Sequence, residues 1–200
     1  FFASTTNLAN YRVPTTISGN IGTIVKADAT VTANSGNATY TGLAQSVSGF
    51  TATGLVNGET ATVLTGITAG GSGTNAGTYA TVAGGIDGNY NLTFTNGSFI
   101  INPATLTVTA TSAGKTYDGQ AYSGGNGVSY AGLVNGETSA VLGGTLAYGG
   151  TSQGAKDVGG YTITPGGLTS INYTITYHSG TLRVDQRPEE VRALAVSEGR

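Results

Sequence analysis

Three features of this 200-residue sequence predict an all-β chain, built as tandem antiparallel β-sandwich modules of Ig-like type. The first is alternation. Leu106-Thr107-Val108-Thr109-Ala110, Tyr161-Thr162-Ile163 and Tyr173-Thr174-Ile175-Thr176-Tyr177 place apolar residues on one face of an extended strand and Thr on the other. Thr is β-branched and suits a pleated, half-wet surface. The second is punctuation by Asn57-Gly58, Asp87-Gly88, Asn96-Gly97, Asp118-Gly119 and Asn135-Gly136, dipeptides that favour the positive φ of tight hairpin turns. Short strands at this spacing indicate a sandwich and argue against a parallel α/β sheet. The third is internal repetition. A β-grasp-like module is the alternative if a helix interrupts the strands, but no helical period occurs before residue 187.

The repeat sets the domain boundaries. Gly54-Leu55-Val56-Asn57-Gly58-Glu59-Thr60 returns unchanged 78 residues later as Gly132-Leu133-Val134-Asn135-Gly136-Glu137-Thr138. Val31-Thr32-Ala33 matches Val108-Thr109-Ala110, and Tyr40-Thr41-Gly42 matches Tyr117-Asp118-Gly119. Further along, Asn89-Tyr90 matches Asn172-Tyr173 at a spacing of 83. The drift implies a few residues inserted in loops, where added length is tolerated. Two modules result, 27–103 and 104–186. Residues 1–26 read as the final hairpin of a truncated preceding repeat, because Asn10-Tyr11 and Gly22-Thr23-Ile24 echo the end of a module. An array is therefore expected to extend upstream. Residues 187–200 form a charged tail. Pro188 at a first turn, Glu189 and Glu190 near the positive end, and Gly199 as a stop suit a short helix.

Composition narrows the class. Gly and Thr supply 34 residues each, while charged residues make up only 9%. A hydrophobic content of 38% with a net charge of −2 fits a buried core and not disorder. The near-neutral balance disfavours nucleic acid, which calls for clustered Lys and Arg. No apolar run reaches the ~18 residues of a membrane span, so no membrane insertion is expected. Cys is absent, which removes disulfides and thiolate metal sites and suits export through the periplasm in an unfolded form.

Chemistry-bearing residues are few. Glu59 and Glu137 can be read as metal or carbohydrate ligands, but a solvated Glu beside an Asn-Gly turn is the favoured reading. A Ca²⁺ site needs six to eight oxygen ligands, and the acids here are widely spread. Asp118 and Gly119 read as a turn, with Tyr117 packed inward. His178, the lone His, is placed at a hairpin tip without a Ser or Cys partner, so no triad is expected. Glycosidase chemistry would need two facing carboxylates, and nothing in the sequence brings Asp157 to Glu137. No catalytic, metal or cofactor residue is assigned, and no cofactor is expected. Tyr122, Tyr130 and Tyr148 lack obvious counterparts in the first module and are the candidates for ligand contact. Asn57, Gly58, Asp118, Gly119, Asn135 and Gly136 are assigned as structural turns. Asn-x-Ser/Thr triplets begin at Asn37, Asn91, Asn96 and Asn172, as chance produces in a chain so rich in Asn and Thr. Whether Lys115 or Lys156 joins an Asn as an isopeptide is left open.

One ordered set of motifs carries a family resemblance. It comprises Lys115-Thr116-Tyr117-Asp118-Gly119, Gly132 through Glu137, Asp157-Val158-Gly159-Gly160-Tyr161, Asn172-Tyr173-Thr174-Ile175 and Gly180-Thr181-Leu182. This set resembles the YDG and MBG (mostly bacterial, glycine-rich) repeat domains of filamentous-haemagglutinin-like adhesins. It covers nearly all of 104–186 and is weaker over 27–103, where Tyr40-Thr41-Gly42 lacks the Asp. The resemblance implies a secreted, extracellular protein of a Gram-negative cell surface, with these modules as tandem units of a stalk in attachment or biofilm. Neighbouring repeats of the same chain are the implied partners. A surface polysaccharide or host glycan, or self-association into an extracellular fibre, are the alternatives. An enzyme is not expected.

Overall fold

The computed structural model describes residues 23–188. The predicted hairpin at 1–26 falls almost entirely outside the described residues, and so does the predicted helix of the tail. Residues 23–26 precede the first strand without regular structure.

The first module has eight strands: β1 Ala27–Ala33, β2 Gly36–Thr39, β3 Gln45–Ser48, β4 Phe50–Thr53, β5 Ile67–Gly73, β6 Gly77–Gly85, β7 Tyr90–Thr95 and β8 Gly97–Asn102. The second has seven: β9 Ala104–Ala110, β10 Ala113–Thr116, β11 Val128–Ala131, β12 Gly143–Gly149, β13 Gly159–Thr169, β14 Tyr173–His178 and β15 Gly180–Asp185. The helical content of the described residues is two single 3-10 turns, Ala61–Val63 and Ser139–Val141. No helix lies against a sheet there, as a β-grasp module would require.

Each module is a two-sheet sandwich. In the first, β4-β1-β7 faces β2-β8-β6-β5-β3; in the second, β11-β9-β14 faces β10-β15-β13-β12. Burial follows the alternation read in the sequence. In β9, Ala104, Leu106, Val108 and Ala110 are buried, and the Thr residues between them are not. The expectation of antiparallel ladders is corrected in part. β1 pairs antiparallel with β4 but parallel with β7, and β2 pairs parallel with β8. The second module repeats this, with β9 parallel to β14 and β10 parallel to β15.

The cause is local. Residues 27–39 and 90–102 are two long strands lying side by side, and each bends from one sheet into the other partway along. The bend in the second strand falls at Asn96-Gly97, which is therefore a sheet crossing and not the hairpin turn predicted. A Cβ on Gly97 would stand 2.5 Å from the Ala33 carbonyl oxygen and 2.6 Å from Thr81 Oγ1, so only Gly permits the crossing. Thr81 is fully buried there and donates from Oγ1 to the Asn34 carbonyl (2.8 Å). His178-Ser179-Gly180 makes the same crossing in the second module, and the expected hairpin tip at His178 is corrected likewise. Asn57-Gly58 and Asn135-Gly136 do turn the chain, but they lead into the 3-10 turns and do not close two-stranded hairpins.

Six extra residues in the second module follow β12. They form a loop whose Gln153 side chain bonds both the N–H and the carbonyl of Gly124, at 2.8 and 2.9 Å. Tyr122 and this loop also exchange two backbone bonds, Tyr122 N–H to Ala155 O and Gly154 N–H to Tyr122 O. This segment stands where β3 stands in the first module.

The apolar cores run on along the chain. One cluster, with Val31, Leu64 and Tyr90, lies within the first module. A second joins Tyr40, Phe99 and Ile101 of the first module to Leu106, Val108 and Tyr173 of the second. A third, with Ile163, Leu182 and Val184, fills the far end of the second module. Only Pro103 separates β8 from β9, so one long strand leaves one module and enters the next.

Candidate functional site

The most connected polar site in the described residues sits over that linkage. It is built from the repeated heptapeptide. Asn135 (φ 52°) and Gly136 (φ 70°) hold the left-handed backbone of a tight turn, closed by the Glu137 N–H to the Val134 carbonyl at 2.9 Å. Asn is one of the few side-chain-bearing residues that tolerates this φ, and Gly meets no penalty there. The turn aims Glu137 back toward β14. Tyr173, the first residue of β14, accepts the Val134 N–H at its phenol oxygen (3.0 Å) and donates its proton to Glu137 Oε2 (2.5 Å). Tyr40 reaches across from the first module and donates to Glu137 Oε1 (2.5 Å). One carboxylate therefore clamps two phenols from two modules. The Tyr40 and Tyr173 rings meet edge to face, with centroids 5.5 Å apart at 83°, the geometry aromatic pairs favour.

Charge-assisted bonds of this kind are short and about twice as strong as neutral ones. They also hold the phenols protonated. Tyr40 is pushed up to about 12, first by its bond to the Glu137 carboxylate and then by burial. Tyr173 is raised as well, by burial first and the same carboxylate second. Around the clamp, the Ala76 N–H donates to Asn172 Oδ1 (2.8 Å) and Asn172 Nδ2 donates to Asn75 Oδ1 (3.1 Å). Gly42 fits against the heptapeptide turn. At φ +76°, a Cβ there would stand 2.8 Å from the Cβ of Asn135. Glu137 is thus not the solvated turn residue expected from sequence, because the apposed module turns it into a joint.

Glu59 occupies the same place in the first module. Asn57 (φ 53°) and Gly58 (φ 73°) make the same turn. Tyr90 accepts the Val56 N–H at 3.0 Å and donates to Glu59 Oε2. That bond raises the Tyr90 phenol above its ordinary value. Among the described residues no second phenol reaches Glu59, which is exposed.

The remaining sequence candidates lie elsewhere. Tyr122 and Tyr148 are half-buried against the third core cluster and Tyr130 against the second, so the three do not form one exposed aromatic patch. Asp118 accepts the Gln120 N–H (2.9 Å) and pairs with Lys115 Nζ (2.8 Å), with Gly119 at φ +77°. The Lys115 ammonium beside it, then the Gln120 N–H, hold its carboxyl below the usual value. Lys115 bonds Asp118 and the Gln120 carbonyl, with no Asn among these partners. Tyr117 is not packed inward as expected. It is 42% exposed, against 5% for its counterpart Tyr40.

No group of three or more His, Asp or Glu residues converges among the described residues. The Tyr40–Glu137 link joins residues 97 apart and was missed in the sequence. Its only signal there is that Tyr40/Tyr117, Glu59/Glu137 and Tyr90/Tyr173 each recur in the repeat. Comparison with curated proteins and with solved structures yields no match. The family model of the MBG domain, YGX type, matches twice in tandem, over residues 29–100 and 106–183. Because these matches cover most of the chain, it belongs to the YGX-type MBG domain family and carries two tandem copies of that domain.

Proposed function

We propose that this chain is a stiff spacer in the stalk of a secreted bacterial surface adhesin, holding a distal region away from the cell in attachment or biofilm, without enzymatic activity. The observation that carries the proposal is the joint. A one-residue linker, a core shared across the boundary and a carboxylate clamping a phenol from each side leave little freedom between modules. Interdomain motion is the usual expectation unless the interface is large and apolar. A spacer that transmits position requires its absence.

The chain lacks Cys, so single Cys residues can be introduced for spin labels without a background. One label on Thr51 and one on Thr162, both exposed, report on the two modules. Pulsed electron-spin distances between them should form a single narrow distribution. A distribution as broad as that of a flexibly tethered pair sinks the spacer reading. Binding of the intact chain on a glycan array, lost when Tyr122 or Tyr130 becomes Ala, would favour a carbohydrate-binding module instead.

A further inference from the structure

We propose that the joint of Tyr40, Glu137 and Tyr173 is an oxidative cross-linking site. A one-electron oxidant of the peroxidase class would couple the two phenols there into a dityrosine bond between the modules. The proposal goes beyond the spacer reading and rests on the geometry of the joint alone.

Where oxidation strikes a chain depends on the side chains it offers. Cys and Met sulfur are the usual first targets, and the indole of Trp competes with them. This sequence has no Cys, Met or Trp and holds 11 Tyr. Oxidising equivalents are therefore left to the phenols. Among the described residues, Tyr40 and Tyr173 are the aromatic pair whose rings meet, with centroids 5.5 Å apart at 83°. Both hydroxyls end on one carboxylate, so the ring edges that carry them converge. The carbons beside each hydroxyl lie on those edges, and a phenoxyl radical forms its new bond at such a carbon. Tyr40 and Tyr173 are only 5% and 3% exposed. Burial holds the rings together and keeps a second chain away from the radicals.

The carboxylate supplies what other tyrosines lack. A protonated phenol gives up its electron readily only when its proton has somewhere to go. The Tyr40 phenol stays protonated up to about 12, because of Glu137 first and burial second. At neutral pH its electron and proton must therefore leave together. Glu137 accepts that proton, as a positioned base does. Tyr79, Tyr161 and Tyr177 donate instead to the backbone carbonyls of Asn75, Asp157 and Leu168. An amide carbonyl is a far weaker base than a carboxylate. Glu137 is half-buried, so it passes the proton on to water before the second phenol is oxidised.

The step balances. Each phenol loses one electron, and its hydroxyl proton leaves by way of Glu137. The two radicals then join, ortho carbon to ortho carbon. Each ring sheds the hydrogen on that carbon as a proton while its oxygen takes one back, which restores two phenols. The net loss is two electrons and two protons, and these reduce one hydrogen peroxide to two waters.

The test treats the intact chain with a peroxidase and hydrogen peroxide. A protein concentration of about 1 μM lies far below the roughly millimolar effective concentration of groups joined in one chain. The expected product is a single chain lighter by two hydrogens, with dityrosine fluorescence and, after digestion, a peptide pair linked through Tyr40 and Tyr173. Tyr40→Phe keeps the ring but forms no phenoxyl radical, and should abolish that product. Glu137→Gln keeps an acceptor but not a base, and should slow the coupling roughly tenfold. Tyr117→Phe alters an exposed phenol and should leave it unchanged. Dityrosine that joins other residues or separate chains overturns the proposal. So does a product that survives Tyr40→Phe, a rate indifferent to Glu137→Gln, or the absence of dityrosine. Such a failure leaves the spacer reading intact, because the distance measurement needs no covalent bond.

Discussion

The two Glu-bearing turns of this chain share a sequence, a backbone and a tyrosine partner, yet they sit in different surroundings. Glu137 is partly covered and bonds two phenols; Glu59 is exposed and bonds one. The two counterpart tyrosines divide the same way, with Tyr40 at 5% exposure and Tyr117 at 42%. The heptapeptides around the two Glu residues are identical, whereas the tyrosine turns differ in having Thr41 in one and Asp118 in the other. Among the described residues, another module abuts Glu137 and Tyr40 and none abuts Glu59 or Tyr117. A residue's role here is thus set by its place in the array, and paired substitutions at equivalent positions measure the contribution of the joint directly.

The largest contrast should come from the tyrosines. Tyr40→Ala removes a buried ring and one arm of the clamp, and should cost about 3–5 kcal/mol by denaturant melts. Tyr117→Ala should stay within about 0.5 kcal/mol, as exposed positions do. Equal costs would mean that Tyr40 is not held by the second module. Next come the carboxylates. Glu137→Ala leaves two phenols without their acceptor and should cost about 2–3 kcal/mol; Glu59→Ala should cost clearly less. A double-mutant cycle of Tyr40→Phe with Glu137→Gln should show coupling, and strict additivity would remove the clamp from the account. The glycines follow. Ala at Gly42 or Gly119 bears about 1–2 kcal/mol for its left-handed φ, and Gly42→Ala adds a collision with Asn135. The excess of Gly42→Ala over Gly119→Ala isolates that contact; no excess would place the Asn135 turn farther away.

The smallest effect is on pH. Tyr40 is raised in the folded chain, from an ordinary value near 10 up to about 12. Its contribution is therefore complete below pH 10 and is lost as pH rises from 10 to about 12. Wild-type stability should fall more steeply over that interval than that of Tyr40→Phe. Parallel curves would mean that the phenol proton does not belong to the joint.

The sequence disclosed the strands and the repeat well, because alternation such as Leu106, Val108 and Ala110 is a local signal that burial obeys. The Asn-Gly turns were legible for the same reason, since φ > 0 is a demand on single residues. The strand order was not. Asn96-Gly97 looks like a hairpin dipeptide, and only the nearness of Ala33 and Thr81 reveals that Gly97 is there to let one strand cross another. The joint was hidden for a further reason. Tyr40 and Glu137 belong to different units, and a repeat aligns equivalent residues without showing which ones meet. Tyr122 and Tyr148, singled out in the sequence because they lack counterparts in the first module, pack against the core at the far end of their own module.

The parallel ladders have a mechanical meaning. Tension on the chain pulls β1 backward by its start and β8 forward by its end. Because residues 27–39 and 90–102 run side by side in the same direction, that load falls along the ladder. Six residue pairs between β1 and β7 and four between β2 and β8 must then slip together in shear, where an antiparallel hairpin would unzip one bond at a time. The second module repeats the arrangement, with six pairs between β9 and β14 and four between β10 and β15. Pulling experiments should accordingly find forced unfolding slow for each module, in a thread that grows stiff under drag before it gives.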